Sequence, residues 1–194
     1  MLELTLIRHG ETDYNAERRM QGHLDIPLNE RGLWQAKQLA MALKGQEYDY
    51  LYSSDLARAF VTAKTCFPNR KIFTDKRLRE RCYGEFEGKV FSDYSEAELR
   101  IYQAYKQDPF TNKLTGGEDS FELFSRIQEW LMELPKQGKA IVFTHGGVIR
   151  SLIRAANGRN AEIGPIENTS RNYFLYENNK IRVISLNKCK HLRY

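Results

Sequence analysis

The chain of 194 residues has 41% hydrophobic and 28% charged side chains, which excludes wholesale disorder and suits one globular domain that folds without disulfides or a structural metal. No apolar run approaches the roughly 20 residues of a membrane helix, so no membrane partner is expected. The net charge of +5 is compatible with an anionic substrate without requiring one.

In chain order, residues 2–7 are an apolar run of strand length. The early acid Glu3 and the lack of a basic n-region make it a buried strand rather than a leader peptide. Leu33, Ala36, Leu39, Ala40 and Leu43 fall on one helix face, and the runs 48–52 and 71–73 are the next strands. Residues 88–117 are different: they are rich in Tyr, Glu, Lys and Asp, with one helical stretch at about 94–105. They read as an insertion over one end of a sheet, either a lid or a plain structural cap. Asp119 and Glu122 then form a capping-box start for a helix with Phe121, Phe124, Ile127, Leu131 and Leu134 on one face, ended by residues 135–138. A further strand covers 140–144, and the runs 173–176 and 181–186 flank Glu177-Asn178-Asn179-Lys180 as a β-hairpin. This alternation predicts an α/β fold with a mostly parallel sheet in one domain spanning 1–194.

Cys66, Cys82 and Cys189 are odd in number and widely spaced, so reduced thiols in a cytoplasm are expected and no chemical role is assigned to them. Lys188, Lys190 and Arg193 read as a solvated tail rather than a nucleic-acid arm.

Three polar clusters follow three of the strands: residues 8–12, 53–58 and 145–147. Ligands of open α/β sheets bind beyond the carboxyl ends of the strands. If those strands are parallel neighbours, Arg8, His9, Arg58 and His145 converge at one edge. Two arginines offer bidentate hydrogen bonds to phosphoryl oxygens, and Gly10, Gly146 and Gly147 let the backbone approach a ligand. Metal ligation would want more than two histidines, and the arginines would repel a cation, so no metal or other cofactor is expected.

The order of motifs resembles the histidine phosphatase superfamily, in the branch related to phosphoglycerate mutases. The resemblance lies in Leu6-Ile7-Arg8-His9-Gly10-Glu11-Thr12 with Asn15, then Met20-Gln21-Gly22, Asp25-Ile26-Pro27-Leu28-Asn29, Ser53-Ser54-Asp55-Leu56-Ala57-Arg58-Ala59, Leu78-Arg79-Glu80, Gly84-Glu85-Phe86-Glu87-Gly88, Gly116-Gly117-Glu118 and Thr144-His145-Gly146-Gly147. It implies a three-layer α/β/α sandwich whose mostly parallel mixed sheet carries a small helical insertion over the active site. It also implies a small phosphorylated metabolite as substrate, with His9 as nucleophile, Glu80 as proton donor, and Arg8, Arg58 and His145 on the transferring phosphoryl group. Asn15, Gln21 and the backbone of Gly146 would complete the phosphate pocket. Asp119 interrupts the usual Glu-Ser pair, so Ser120 carries no expected role. The leading function implied is metal-independent hydrolysis of a small phosphate monoester through a phosphohistidine on His9; a phosphoglycerate mutase is the runner-up, and members of that kind tend to be longer. An inactive phospho-ligand binding protein is the third reading, and the intact set of five residues argues against it. For single residues the plain alternatives are ion pairs of Arg8 and Arg58 with Asp25 or Asp55, and of Glu80 with Arg77, Arg79 or Arg81.

Overall fold

The computed structural model describes residues 1–192. Strands β1 (Leu2–Arg8), β2 (Tyr50–Ser53), β3 (Phe73–Thr74), β4 (Gly138–Thr144), β5 (Arg171–Glu177) and β6 (Lys180–Lys188) form one sheet in the order β3-β2-β4-β1-β5-β6. β1 to β4 are mutually parallel, β5 runs antiparallel to β1, and β6 antiparallel to β5. The helices are α1 (Asp13–Ala16), α2 (Glu30–Ala42), α3 (Ala57–Cys66), α4 (Glu96–Gln107), α5 (Ser120–Met132) and α6 (Gly146–Asn157).

Side chains alternate across a strand, and this divides β1 and β4 between two cores. Leu2, Leu4, Leu6, Ala140 and Val142 meet Leu123, Ile127 and Trp130 of α5 and Val148, Ile149 and Leu152 of α6. Ile7, Leu51, Ile141 and Phe143 meet Leu39, Leu43 and Ala63 beside α2 and α3 on the other face. A fully buried Leu or Ile side chain contributes about 1.5–3 kcal/mol, so both faces of these apolar strands need a helical layer. The expected three-layer α/β/α sandwich is the result. The β5–β6 hairpin also matches the expectation: Asn178 and Asn179 have φ of 50° and 59°, the two left-handed residues of a type I′ turn.

Some expectations are corrected. The third strand is only Phe73–Thr74, at the sheet edge, rather than 71–73. Leu33 is 41% exposed and Phe121 is 56% exposed, although both were placed with the inward residues of their helices. The buried stripe of α2 is Gly32, Gln35, Ala36 and Leu39, because the helix start packs against the loop after β1, where Gln35 accepts a hydrogen bond from the Glu11 N–H. That of α5 is Ser120, Leu123, Ile127, Trp130 and Leu131, and Phe121 instead lies edge-on to Phe110.

Residues 88–117 contain α4, capped by Ser95 and Glu98. Around Phe86, Tyr94 and Leu114 they build a small aromatic core with Tyr83, Leu99, Tyr102 and Tyr105. This packing sets the insertion against the carboxyl end of the sheet. Lys188 ends β6 and Lys190 opens a final 3-10 turn; Arg193 lies outside the described residues.

Candidate active site

The central strands of the sheet are β2, β4 and β1, side by side, so their carboxyl ends are neighbours. Arg8 ends β1 and His9 follows, its N–H donating to Thr144 O at 2.9 Å as the ladder continues. His145 follows β4 and starts α6, and Arg58 lies in the first turn of α3, just after β2. Gly10 is needed for this turn: a Cβ there would stand 2.6 Å from Gly32 O. The imidazoles of His9 and His145 are 5.1 Å apart, centroid to centroid. The convergence expected of Arg8, His9, Arg58 and His145 is therefore present.

His9 Nδ1 lies 2.6 Å from Gly10 O. A carbonyl only accepts, so Nδ1 carries the hydrogen and Nε2 keeps its lone pair. Burial, then Arg58 and Arg8, hold the His9 pKa well below the usual histidine range. The ring is thus a neutral nitrogen nucleophile near pH 7. Burial, then Arg58 and His9, depress His145 in the same way. His145 is therefore neutral in the protein alone; a bound phosphate would favour the charged form.

Arg58 is completely buried, with Nη1 donating to Leu24 O and Nη2 to Gly22 O, both at 2.7 Å. Burial brings its pKa down to about 10, so it remains charged at neutral pH. Arg8 donates Nη1 to Ile166 O at 2.6 Å. Neither arginine pairs with an acid among the described residues: Asp55 takes Arg79 and Asp25 accepts from the Ala57 N–H. Arg8 Nε, Arg58 Nε and both ring nitrogens of His145 are buried without a hydrogen-bond partner among the described residues. Unpaired buried donors cost about 1–3 kcal/mol each, and a phosphoryl oxygen would satisfy them.

Glu80 faces the same cleft. Its carboxylate accepts from the Gly147 N–H at 3.0 and 3.1 Å and from the Arg81 N–H at 2.8 Å, which docks it on the amino end of α6. The surface ion pair weighed from sequence does not form. Arg77 pairs with Asp75 and Glu133, and Arg79 with Asp55, while Arg81 reaches Tyr105 Oη and Ser120 Oγ.

Asn15 and Gln21 both line the cleft. Thr12 donates to Gln21 Oε1 from its hydroxyl and to Asn15 Oδ1 from its N–H, which leaves their NH2 groups for a ligand. Gly146 lines it at the first turn of α6, where helix N–H groups favour anions.

Sequence reasoning missed the supports. Arg126 on α5 donates to the carbonyls of Arg77, Arg79 and Glu80 and pairs with Glu118 at 2.7 Å, clamping the turn that presents Glu80. Asn168 donates to His9 O at 2.9 Å. Neither carries a local pattern that would have singled it out. Among the described residues no group of three or more His, Cys, Asp or Glu side chains is placed to hold a metal ion.

The cleft has a volume of about 530 Å³. It suits a tetrahedral oxyanion whose neighbour is an imidazole lone pair, the chemistry of enzymes that carry a phosphoryl group on histidine. The chain belongs to the histidine phosphatase superfamily (branch 1), whose family model matches residues 4–188. It is 38% identical to phosphoglycerate mutase-like protein 4 of Arabidopsis thaliana, over 92% of this chain and 81% of that protein. A metal-independent phosphoserine phosphatase of the same plant is 36% identical over 98% of this chain and 83% of its own. A phosphoserine phosphatase from Entamoeba histolytica, solved as a histidine-to-alanine mutant with phosphoserine, superposes with a TM-score of 0.83 at 25% identity, covering all of both chains.

Proposed function

We propose that this protein is a metal-independent phosphomonoesterase that hydrolyses a small phosphorylated metabolite through a phosphohistidine on His9. The observation that carries the reading is the His9 ring: hydrogen-bonded at Nδ1, neutral, and set beside two arginines that have no acid partner among the described residues. Arg8, Arg58, His145, Asn15, Gln21 and the Gly146 N–H hold the phosphoryl oxygens. His9 Nε2 attacks phosphorus, the P–O ester bond breaks, and the leaving oxygen takes a proton from Glu80. A monoester has its second pKa near about 6, so the substrate itself can bring that proton to Glu80. Water then gives a proton back to Glu80 and attacks phosphorus. The P–N bond breaks, its electron pair returns to Nε2, and inorganic phosphate leaves.

The site side chains come from one domain, 1–194, with 88–117 as its insertion. Cys66 and Cys82 form no disulfide among the described residues, which supports a cytoplasmic setting, and no helix of the described residues is long and apolar enough to cross a membrane. The names of the relatives favour two substrate kinds, phosphoserine and phosphoglycerate. The second makes a mutase the alternative reading; that enzyme would return the phosphoryl group to the substrate.

The test is rapid acid-free quench of the protein in mid-turnover with a 32P-labelled ester. Label on His9, lost in His9→Ala together with several orders of magnitude of kcat, is the expected outcome. Label on another residue refutes the reading, and net isomerisation of phosphoglycerate without phosphate release would favour the mutase.

A further inference from the structure

The Gly84-Glu85-Phe86-Glu87-Gly88 motif supplies none of the phosphoryl-binding or proton-transfer groups, yet its second carboxylate lies behind the phosphoryl site. Glu87 Oε1 accepts from the His23 N–H and from the Tyr83 N–H, each at 2.9 Å, and Oε2 accepts from the Leu24 N–H at 3.1 Å. No Lys, Arg or His side chain forms an ion pair with it among the described residues. Glu85, two residues earlier, is exposed.

Two of those three N–H groups belong to the loop that holds Arg58. The Gly22 carbonyl and the His23 N–H are the two ends of one peptide unit, and a trans peptide points them in opposite directions. Arg58 Nη2 donates to the carbonyl end at 2.7 Å, and Glu87 accepts from the N–H end at 2.9 Å. Leu24 repeats the arrangement within one residue: its N–H donates to Glu87 and its carbonyl accepts from Arg58 Nη1 at 2.7 Å. A cation and a carboxylate thus face each other through polarised backbone groups, and each hydrogen bond strengthens the next. Gly22 has φ of 53°, and a Cβ there would run into Glu87 Oε1, so the loop takes this path only without a side chain at that position. Burial lowers the Arg58 pKa, and Glu80, Asp25 and Glu87 act against it. Glu80 exchanges its proton during turnover and Asp25 accepts from the Ala57 N–H; Glu87 is the acid bonded to the loop that aims the guanidinium.

We propose that Glu87 is a positioning residue for phosphoryl transfer: it fixes the 22–24 loop from behind and so aims the Arg58 guanidinium at the phosphoryl oxygens. The proposal rests on the reading of Arg58 as a phosphoryl ligand.

A double-mutant cycle of Glu87→Gln with Arg58→Met tests it, read as the Kd of orthovanadate by calorimetry, which needs no turnover. Glutamine keeps the length of the side chain and one acceptor oxygen, but its NH2 meets a backbone N–H instead of accepting from it. With Arg58 in place, Glu87→Gln weakens vanadate binding about tenfold or more. In the Arg58→Met protein the same change weakens it less than about threefold, since no guanidinium is left to aim. Glu85→Gln leaves the affinity unchanged in both backgrounds. Equal weakening by Glu87→Gln in both backgrounds, or less than about threefold with Arg58 present, overturns the proposal, because a residue that only stabilises the fold acts on both alike. A melting curve accompanies each variant. Should Glu87→Gln fail to fold, Glu87→Asp, which keeps the charge without the reach to both loops, goes through the same cycle; failure of both to fold makes Glu87 a structural residue and also overturns the proposal. Two further readings stand apart. Vanadate affinity unmoved by Arg58→Met removes Arg58 from the phosphoryl site and the positioning role with it, whereas a severe Arg58→Met with additive losses overturns the positioning role alone. Absence of phosphate release from every ester overturns the phosphatase reading and leaves the vanadate cycle to decide this one.

Discussion

Gly147→Ala separates the placing of Glu80 from the integrity of the fold with a single methyl group. The new Cβ would stand 2.0 Å from Glu80 Oε1 and 3.1 Å from its Cδ, while the nearest backbone atom, Arg81 N, is 3.6 Å away. The free end of the Glu80 side chain must therefore move and the chain need not. Gly147 has no left-handed φ, so alanine fits its backbone. In the helix alanine gains up to about 1 kcal/mol, and loss of the Glu80 hydrogen bonds costs about 1.5–3 kcal/mol. The net destabilisation of about 0.5–2 kcal/mol lowers Tm by roughly 1–8 °C for a chain of this length. The catalytic effect is larger, because a positioned proton donor is worth about 100- to 10,000-fold. Rapid-quench measurement of the phosphorylation step on glycerol 3-phosphate should show at least about a 100-fold loss. The same step on p-nitrophenyl phosphate, whose leaving group departs as an anion, should lose less than about tenfold. Retention of the alkyl ester rate within about threefold, or equal slowing of both esters, would show that Glu80 is not the proton donor.

Other expectations are as direct. Arg58→Met removes a buried cation that Gly22 O and Leu24 O hold in place, and kcat/KM should fall by about 2–4 kcal/mol worth of rate, 30-fold or more; a smaller change removes Arg58 from the phosphoryl site. His9 and His145 have folded pKa values below the unfolded 6.5, so as pH falls through about 6.5 the unfolded chain binds protons that the folded one does not. Stability therefore declines on acidification between pH 7.5 and 5.5, and His145→Gln flattens the slope of Tm against pH; a wild-type Tm that is flat or rises over that window refutes the sign. Arg126→Met leaves the cleft lining intact but frees the Glu80 turn, so kcat for alkyl esters should drop about tenfold with KM changed less than about threefold. A loss confined to KM would mean that Arg126 does not position Glu80.

Several short-range patterns hold in the structure, while the third strand's bounds and the facing of Leu33 and Phe121 do not. Continuous apolar runs at 2–7 and 140–144 announce strands buried on both faces, and a polar cluster after each one places its side chains at the sheet's carboxyl edge, as found for His9 and His145. The Asn178-Asn179 turn and the Asp119–Glu122 cap are likewise short-range patterns that one helix end or one hairpin determines. Only the tertiary structure decided which neighbours these side chains have. Glu80 meets the amino end of α6 at Gly147, 67 positions away, rather than the arginines beside it in sequence. Arg126 clamps a turn 46 to 49 positions earlier. His145 is neutral because layers on both faces of the sheet bury it beside Arg58. Periods of 2 and 3.6 residues fix which face a side chain takes on its own strand or helix. Contacts between elements, and the burial that shifts a pKa, depend on how those elements pack, and no local pattern records that.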